Sequence, residues 1–230
     1  MSAGGLTADA RAVWAASFLA RLPEPSAQRL LADARELRLA TGETFYRGTQ
    51  HEATERAGLV TAGLLRTFRR APDGRQVTLR YAPPGALIGL PAVLGQDAEA
   101  EGQALQDSIV VVLPAATVRA VAQRDAQVAW SLATYLASVL QETNALLASD
   151  LFGTVRARVA RHLLDMATAV DGRLVVEASH QSLADAIGSV REVVSRALKQ
   201  LQDDGAVARD GRRLVLSDPA ALHRAALDVV

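Results

Sequence analysis

The stretch Ser179–Val207, SHQSLADAIGSVREVVSRALKQLQDDGAV, decides the fold of the C-terminal part of this 230-residue chain. Its pattern predicts two short helices separated by a turn. The apolar side of the first helix consists of Leu183, Ala186 and Ile187. Gly188 ends that helix, because glycine readily adopts turn conformations, and Ser189 opens the second helix.

In the second helix, apolar residues recur at helical spacing, which predicts one buried stripe. The stripe consists of Val190, Val194, Leu198 and Leu201. The opposite face carries Arg191, Glu192, Ser195, Arg196 and Lys199. Two helices around a glycine-containing turn, the second with long polar side chains, are typical of a helix-turn-helix.

The polar face suits the major groove of DNA, which admits an α-helix and shows a distinct pattern for each base pair. Arginine matches the two acceptors of guanine, and glutamate accepts from the amino group of cytosine. We therefore predict base contacts from Arg191, Glu192, Ser195 and Arg196. The structural alternative is that Ser189 and Glu192 form a capping box, and that the cations form an ordinary solvated face.

A β-hairpin follows, with strands at Val207–Arg209 and Arg212–Leu216 around an Asp-Gly turn. The tip is rich in arginine and predicts a wing that contacts phosphates. A solvated hairpin tip is the alternative. The predicted phosphate contacts are Ser179, His180, Gln181, Ser189, Lys199 and Arg212.

With these elements in place, the chain resembles the Crp/Fnr family of bacterial transcription regulators. The segment REVVSR, Arg191–Arg196, carries the family's R-E-x-x-x-R signature and also satisfies its E-x-x-S-R variant. The resemblance implies a homodimer that binds double-stranded DNA with TGA-containing half-sites. It also implies contacts with RNA polymerase, a possible small-molecule effector, and a sensor domain like those that bind cyclic nucleotides.

Charge and composition limit the other possibilities. The chain has 25 basic and 25 acidic residues, so its affinity for DNA must come from local clusters. It has no cysteine, which excludes disulfides and a thiolate-held iron–sulfur cluster. No apolar run reaches the roughly 18 residues of a membrane span. We expect a cytoplasmic protein without membrane contact.

Short apolar or alternating runs, separated by Gly, Pro and Asp, fill most of the N-terminal half and predict an antiparallel sandwich or roll. Pro72–Gly74 is the expected turn of one hairpin. The predicted class is α+β: a jelly-roll-like β-roll over residues 1–125, a dimerisation helix over 126–151, and a winged helix-turn-helix over 152–230.

The long helix, Ala126–Leu151, contains no glycine or proline and repeats apolar residues every seven positions. The repeats comprise Leu132, Val139 and Leu146, then Leu136 and Thr143, with Val128, Leu140 and Leu147 at the margins. Such a pattern predicts a helix that pairs with its twin. A helix that only covers its own sheet is the alternative.

The segment Pro84–Leu94 lies where the resemblance places a phosphate-binding cassette. Leu90 occupies the position of the family's ribose-binding Glu, and the Arg-Ser position falls in the acidic stretch Asp97–Glu101. Acids without a cation repel a phosphate, which disfavours cyclic nucleotides. The candidate effector-pocket residues are Gly89, Leu90, Tyr135 and Thr143. Packing of the same segment into the core is the alternative.

Other cofactors and activities find little support. The sensor half has a single histidine, His51, in a polar stretch, which disfavours haem without excluding it and cannot provide a metal cluster. No nucleophile lies in a recognisable catalytic motif, so we predict no enzyme. The remaining alternative is a ligand-dependent module whose winged domain docks another protein.

Overall fold

A computed structural model describes residues 6–46, 56–70, 76–95 and 100–228. His51, the Pro72–Gly74 turn and residues 97–99 of the acidic stretch lie outside the described residues. The chain divides into two compact units, one of residues 1–70 with 81–140 and one of residues 71–80 with 141–230. The boundaries predicted at residues 125 and 151 stay a prediction.

Two antiparallel sheets form the N-terminal part of the chain, which confirms the predicted β-roll class. One sheet has the order β1-β8-β3-β6 and the other β2-β7-β4-β5. Strand β8 lies inside its sheet, where Leu37 pairs with Val110 on one side and Gly58 with Val112 on the other. The strands are β1 Arg35–Leu39, β2 Thr44–Tyr46, β3 Arg56–Ala62, β4 Leu65–Arg70, β5 Gln76–Ala82, β6 Leu87–Ile88, β7 Glu101–Ala104 and β8 Ser108–Pro114.

The helices up to residue 152 are α1 Ala8–Ala16, a 3-10 turn Phe18–Arg21, α2 Glu24–Ala32, α3 Leu90–Val93, α4 Ala115–Arg124 and α5 Ala126–Phe152. The long helix α5 therefore ends one residue beyond the predicted boundary. Its side chains Val128 and Leu132 belong to the same buried cluster as Leu59 and Val111 of the sheet.

This burial corrects part of the predicted dimer seam. Leu132 is 4 % exposed and faces the core of its own unit, whereas Trp130 and Leu140 are 74 % and 62 % exposed. Trp130, Ala133, Ala137 and Leu140 are all exposed, and they follow one another at spacings of three and four residues. Helix α5 thus covers its own sheet with one face and presents a second apolar face.

The C-terminal part of the second unit contains four helices and a small sheet with the order β11-β12-β10-β9. The elements are α6 Val155–Met166, β9 Thr168–Val170, β10 Arg173–Val176, α7 His180–Ile187, α8 Arg191–Asp203, β11 Val207–Asp210, β12 Arg213–Leu216 and α9 Pro219–Ala226. This is a winged helix-turn-helix, as predicted. Its core is formed by buried side chains of α6, α7, α8 and α9.

Candidate nucleic-acid interface

Helix α7 begins and ends through local interactions that its sequence supplies. Ser179 is its N-cap: the Ser182 amide donates to Ser179 Oγ at 3.0 Å, and the Ser179 amide donates to Ser182 Oγ at 2.9 Å. Gly188 ends the helix in the left-handed conformation, with φ 63°. The predicted apolar side is correct for Leu183, which is buried, but Ala186 is exposed. Ala184, the residue after Leu183, is buried instead.

Helix α8 begins two residues later than predicted. Its N-cap is Val190 and its first residue is Arg191, with no side-chain cap hydrogen bond. The alternative interpretation of Ser189 and Glu192 as a capping box is therefore wrong. Val190 is 59 % exposed and does not belong to the buried stripe, whereas Val194, Leu198 and Leu201 are buried as predicted.

The polar face of α8 points outward. Arg191, Glu192, Arg196 and Lys199 are exposed and Ser195 is half-buried. Because Val194, Ala197, Leu198 and Leu201 hold the other face in the core, these side chains are available to a ligand. The helix thus carries a cationic and acidic surface on a rigid support.

Arg158 on α6 is a positioning residue that the sequence patterns did not indicate. Its Nη1 donates to the carbonyl oxygen of Ile187 at 2.7 Å, in the last turn of α7. A cation at a helix C-terminus is favourable, because the last carbonyl groups carry partial negative charge. This contact holds the turn from which α8 starts. Arg158 and Ile187 are 29 residues apart in sequence, so no local sequence pattern predicts the contact.

An open cleft of about 720 Å³ separates the start of α7 from the wing. It is lined by Glu177, Ala178, Ser179, Ser182, Arg209, Asp210, Arg212 and Arg213. Glu177, which the sequence reasoning missed, accepts from Arg213 Nε at 2.6 Å. Asp210 on the wing and Glu177 beside it therefore offset part of the charge of the wing's three arginines, and the surface is less cationic than these arginines alone suggest.

The residues predicted to contact phosphates lie on different elements of the winged domain. Ser179 and Arg212 share the cleft. Gln181 Nε2 donates to Asp185 Oδ1 at 2.8 Å on the exposed side of α7. Ser189 is half-buried in the turn, and Lys199 lies near the middle of α8.

His180 occupies the first position of α7. Partial burial lowers the pKa of His180, and the charges of Arg209 on the wing and Arg191 on α8 lower it further. Arg209 and Arg191 therefore make the surroundings of His180 an electropositive region, to which the wing and α8 each contribute one arginine. Such a region favours an anion.

The candidate effector residues are distributed over the cassette and the long helix. Gly89 has φ 78°, and a side chain there would meet the Arg56 carbonyl oxygen. Leu90 is 2 % exposed within the core cluster, so the structure places it in the core. Thr143 is half-buried on α5.

Tyr135 connects α5 to strand β6 in the first unit. Its hydroxyl donates to the Leu87 carbonyl oxygen at 2.9 Å and accepts from the Leu87 amide at 2.6 Å. Its ring stacks on Phe18 with the ring centroids 4.4 Å apart. In the acidic stretch, Glu101 pairs with Arg70 at 3.3 Å.

Within the described ranges, no group of three or more His, Asp or Glu side chains could hold a metal ion. Over the same residues, none of the helices combines the length and apolarity that crossing a membrane requires.

The fold and the interface define a class: a winged helix-turn-helix protein with an antiparallel β-roll of the sensor type. Residues 157–225 match the Crp-like helix-turn-helix domain, and residues 36–125 match the cyclic nucleotide-binding domain. The transcriptional regulator LdrP of Thermus thermophilus is 34 % identical over 195 residues, which cover 82 % of this chain and 95 % of LdrP.

Two further comparisons agree. The CRP-like cAMP-activated global transcriptional regulator of Mycobacterium tuberculosis is 29 % identical over 88 % of this chain and 93 % of its own length. The crystal structure of a CRP-family transcriptional regulator from Thermus thermophilus is 31 % identical, with a TM-score of 0.52 over 84 % of this chain and 97 % of that chain. This chain belongs to the Crp/Fnr family of transcriptional regulators.

Proposed function

We propose that this protein is a homodimeric transcription regulator that reads a two-fold symmetric DNA site with TGA-containing half-sites. The observation that carries the proposal is the exposed polar face of α8, opposite the buried stripe and beside the wing. Arg191, Glu192 and Arg196 would contact base edges, and Ser195 adds a contact. A helix in the major groove supplies this readout with its N-terminal residues.

Phosphate contacts would fix the position of α8 on the duplex without reading sequence. The cleft supplies Ser179 and Arg212, and the electropositive region supplies His180. Gln181, Ser189 and Lys199 complete the proposed set. Because the chain has no net charge, affinity depends on these local groups and on the presence of two subunits.

The decisive experiment compares Arg196→Ala with Lys199→Ala on a duplex selected from a random pool. Arg196→Ala should lose about 1–3 kcal/mol and relax the choice at one base pair per half-site. Lys199→Ala should weaken binding to all sequences alike and reduce the salt dependence. Arg224→Ala, an exposed cation on α9, serves as the control and should change neither. Equal losses by Arg196→Ala on selected and random DNA would contradict a reading role.

The dimer would form along the second apolar face of α5. Trp130 and Leu140 provide large exposed apolar side chains there, and Ala133 and Ala137 between them permit close approach of a twin helix. A two-fold partner explains a two-fold operator. A regulator of this kind acts in the cytoplasm, where the chromosome is, and needs no catalytic residue.

The sensor unit would respond to something other than a cyclic nucleotide. Leu90 lies in the core, and Glu101 of the acidic stretch is paired with Arg70. Neither offers a cyclic phosphate or its ribose what a carboxylate and a free cation would offer. Calorimetric titration with cyclic AMP tests this directly, and micromolar binding would contradict it. Native mass spectrometry of the purified protein would reveal a different bound effector.

A further inference from the structure

The start of α8 differs from the other helix starts of the winged domain. Thr154, Ser179 and Asp218 cap α6, α7 and α9, each by accepting a backbone hydrogen bond through its side chain. Val190 caps α8 with an extended backbone and no such bond. Ser, Thr, Asp and Asn stabilise this position by about 1 kcal/mol relative to apolar residues, so valine here is unfavourable for the helix itself.

Burial does not compensate for the lost cap. Val190 is 59 % exposed and is the most exposed large apolar side chain in the described part of the winged domain, ahead of Met166 at 41 % and Leu227 at 40 %. Its neighbours Arg191 and Glu192 are exposed and polar. An apolar side chain thus stands alone at the end of α8 that would enter the DNA.

The major groove contains one apolar feature, the C5-methyl group of thymine. The N-terminal residues of a recognition helix are those that lie closest to the base edges. We propose that Val190 is a specificity-determining residue whose γ-methyl groups pack against a thymine methyl group in each half-site, in or beside the TGA. This inference rests on the proposed function, since it requires α8 to lie in the groove.

The test removes the methyl group from the DNA and from the protein separately. Full-length protein is titrated with its selected duplex and with duplexes in which deoxyuridine replaces one thymine of each half-site at a time. A buried methyl group is worth about 0.8 kcal/mol, so the wild type should bind about fourfold more weakly per half-site at one thymine position. Val190→Ala should bind the thymine and uracil duplexes about equally.

Two further variants separate reading from folding. Val190→Ser introduces a side chain that can cap α8, so this variant should have a higher melting temperature than the wild type. It should nevertheless lose the discrimination between thymine and uracil. Met166→Ala removes an exposed apolar side chain elsewhere and should keep the full discrimination.

Each outcome decides between the two proposals. If the wild type binds all uracil duplexes as tightly as the thymine duplex, or if Val190→Ala still discriminates between them, the proposed role of Val190 is wrong. The reading role of Arg196 is tested separately, by Arg196→Ala. If no duplex is selected over random DNA, the proposed function fails and the inference fails with it.

Discussion

Helices α5 and α8 each bury one face, and they differ in what lies on the other. The outer face of α8 carries Arg191, Glu192 and Arg196, side chains suited to a polar ligand. The outer face of α5 carries Trp130 and Leu140, which water solvates poorly. A charged outer face can remain exposed until DNA arrives, whereas an apolar one is expected to be covered by another protein surface.

The largest effect is expected on the inner face of α8. Leu198 is 1 % exposed, and Leu198→Ala should lower the free energy of opening this helix by about 2–5 kcal/mol, because it removes buried methyl groups and leaves a cavity. Hydrogen–deuterium exchange of peptides from residues 191–203 measures that free energy. Lys199→Ala, the exposed neighbour, should change it by less than about 0.5 kcal/mol. A similar acceleration in both variants would mean that α8 has no distinct inner face.

The next effect concerns the outer face of α5. Leu140→Glu places a carboxylate in the proposed seam on both subunits, where it would be desolvated without a partner, and should raise the dimer dissociation constant at least about 100-fold. Analytical ultracentrifugation over a range of concentrations measures this. Gln123→Glu adds the same charge at an exposed position on α4, away from the line formed by residues 130, 133, 137 and 140, and should leave the dimer intact. An unchanged dimer in Leu140→Glu would place the seam elsewhere.

The same comparison explains which features the sequence could predict. In α8 the charged residues mark the outer face, so the buried residues Val194, Leu198 and Leu201 followed from spacing alone. In α5 almost every face is apolar, and the heptad count could not tell Leu132, which packs on its own sheet, from Leu140, which does not. Periodicity finds an apolar face but does not say what covers it.

Two other features of the interface could not be predicted from local spacing: the residue at which α8 begins, and the contacts between residues distant in sequence. The spacing of Ser189 and Glu192 fitted a capping box, but the chain reaches the first helical residue only at Arg191. Arg158 and Glu177 contribute to the interface through Ile187 and Arg213, which lie on other elements. The R-E-x-x-x-R signature was readable because all of its members lie on one helix.

The smallest expected effect is a pH dependence of DNA binding, which dimer formation along α5 should not share. In the free protein, burial and the nearby charges of Arg209 and Arg191 lower the pKa of His180 below its ordinary value. A DNA phosphate beside His180 would raise that pKa again, so the complex binds more protons than the free protein, and affinity should rise as the pH falls. We expect binding roughly two- to threefold tighter at pH 6 than at pH 8, a difference that His180→Asn should remove.

The exposed line of α5 contains no titratable side chain, so the dimer dissociation constant should stay constant over the same range. Fluorescence anisotropy at fixed ionic strength measures the DNA affinity, and a wild-type affinity that is independent of pH would remove His180 from the phosphate contacts.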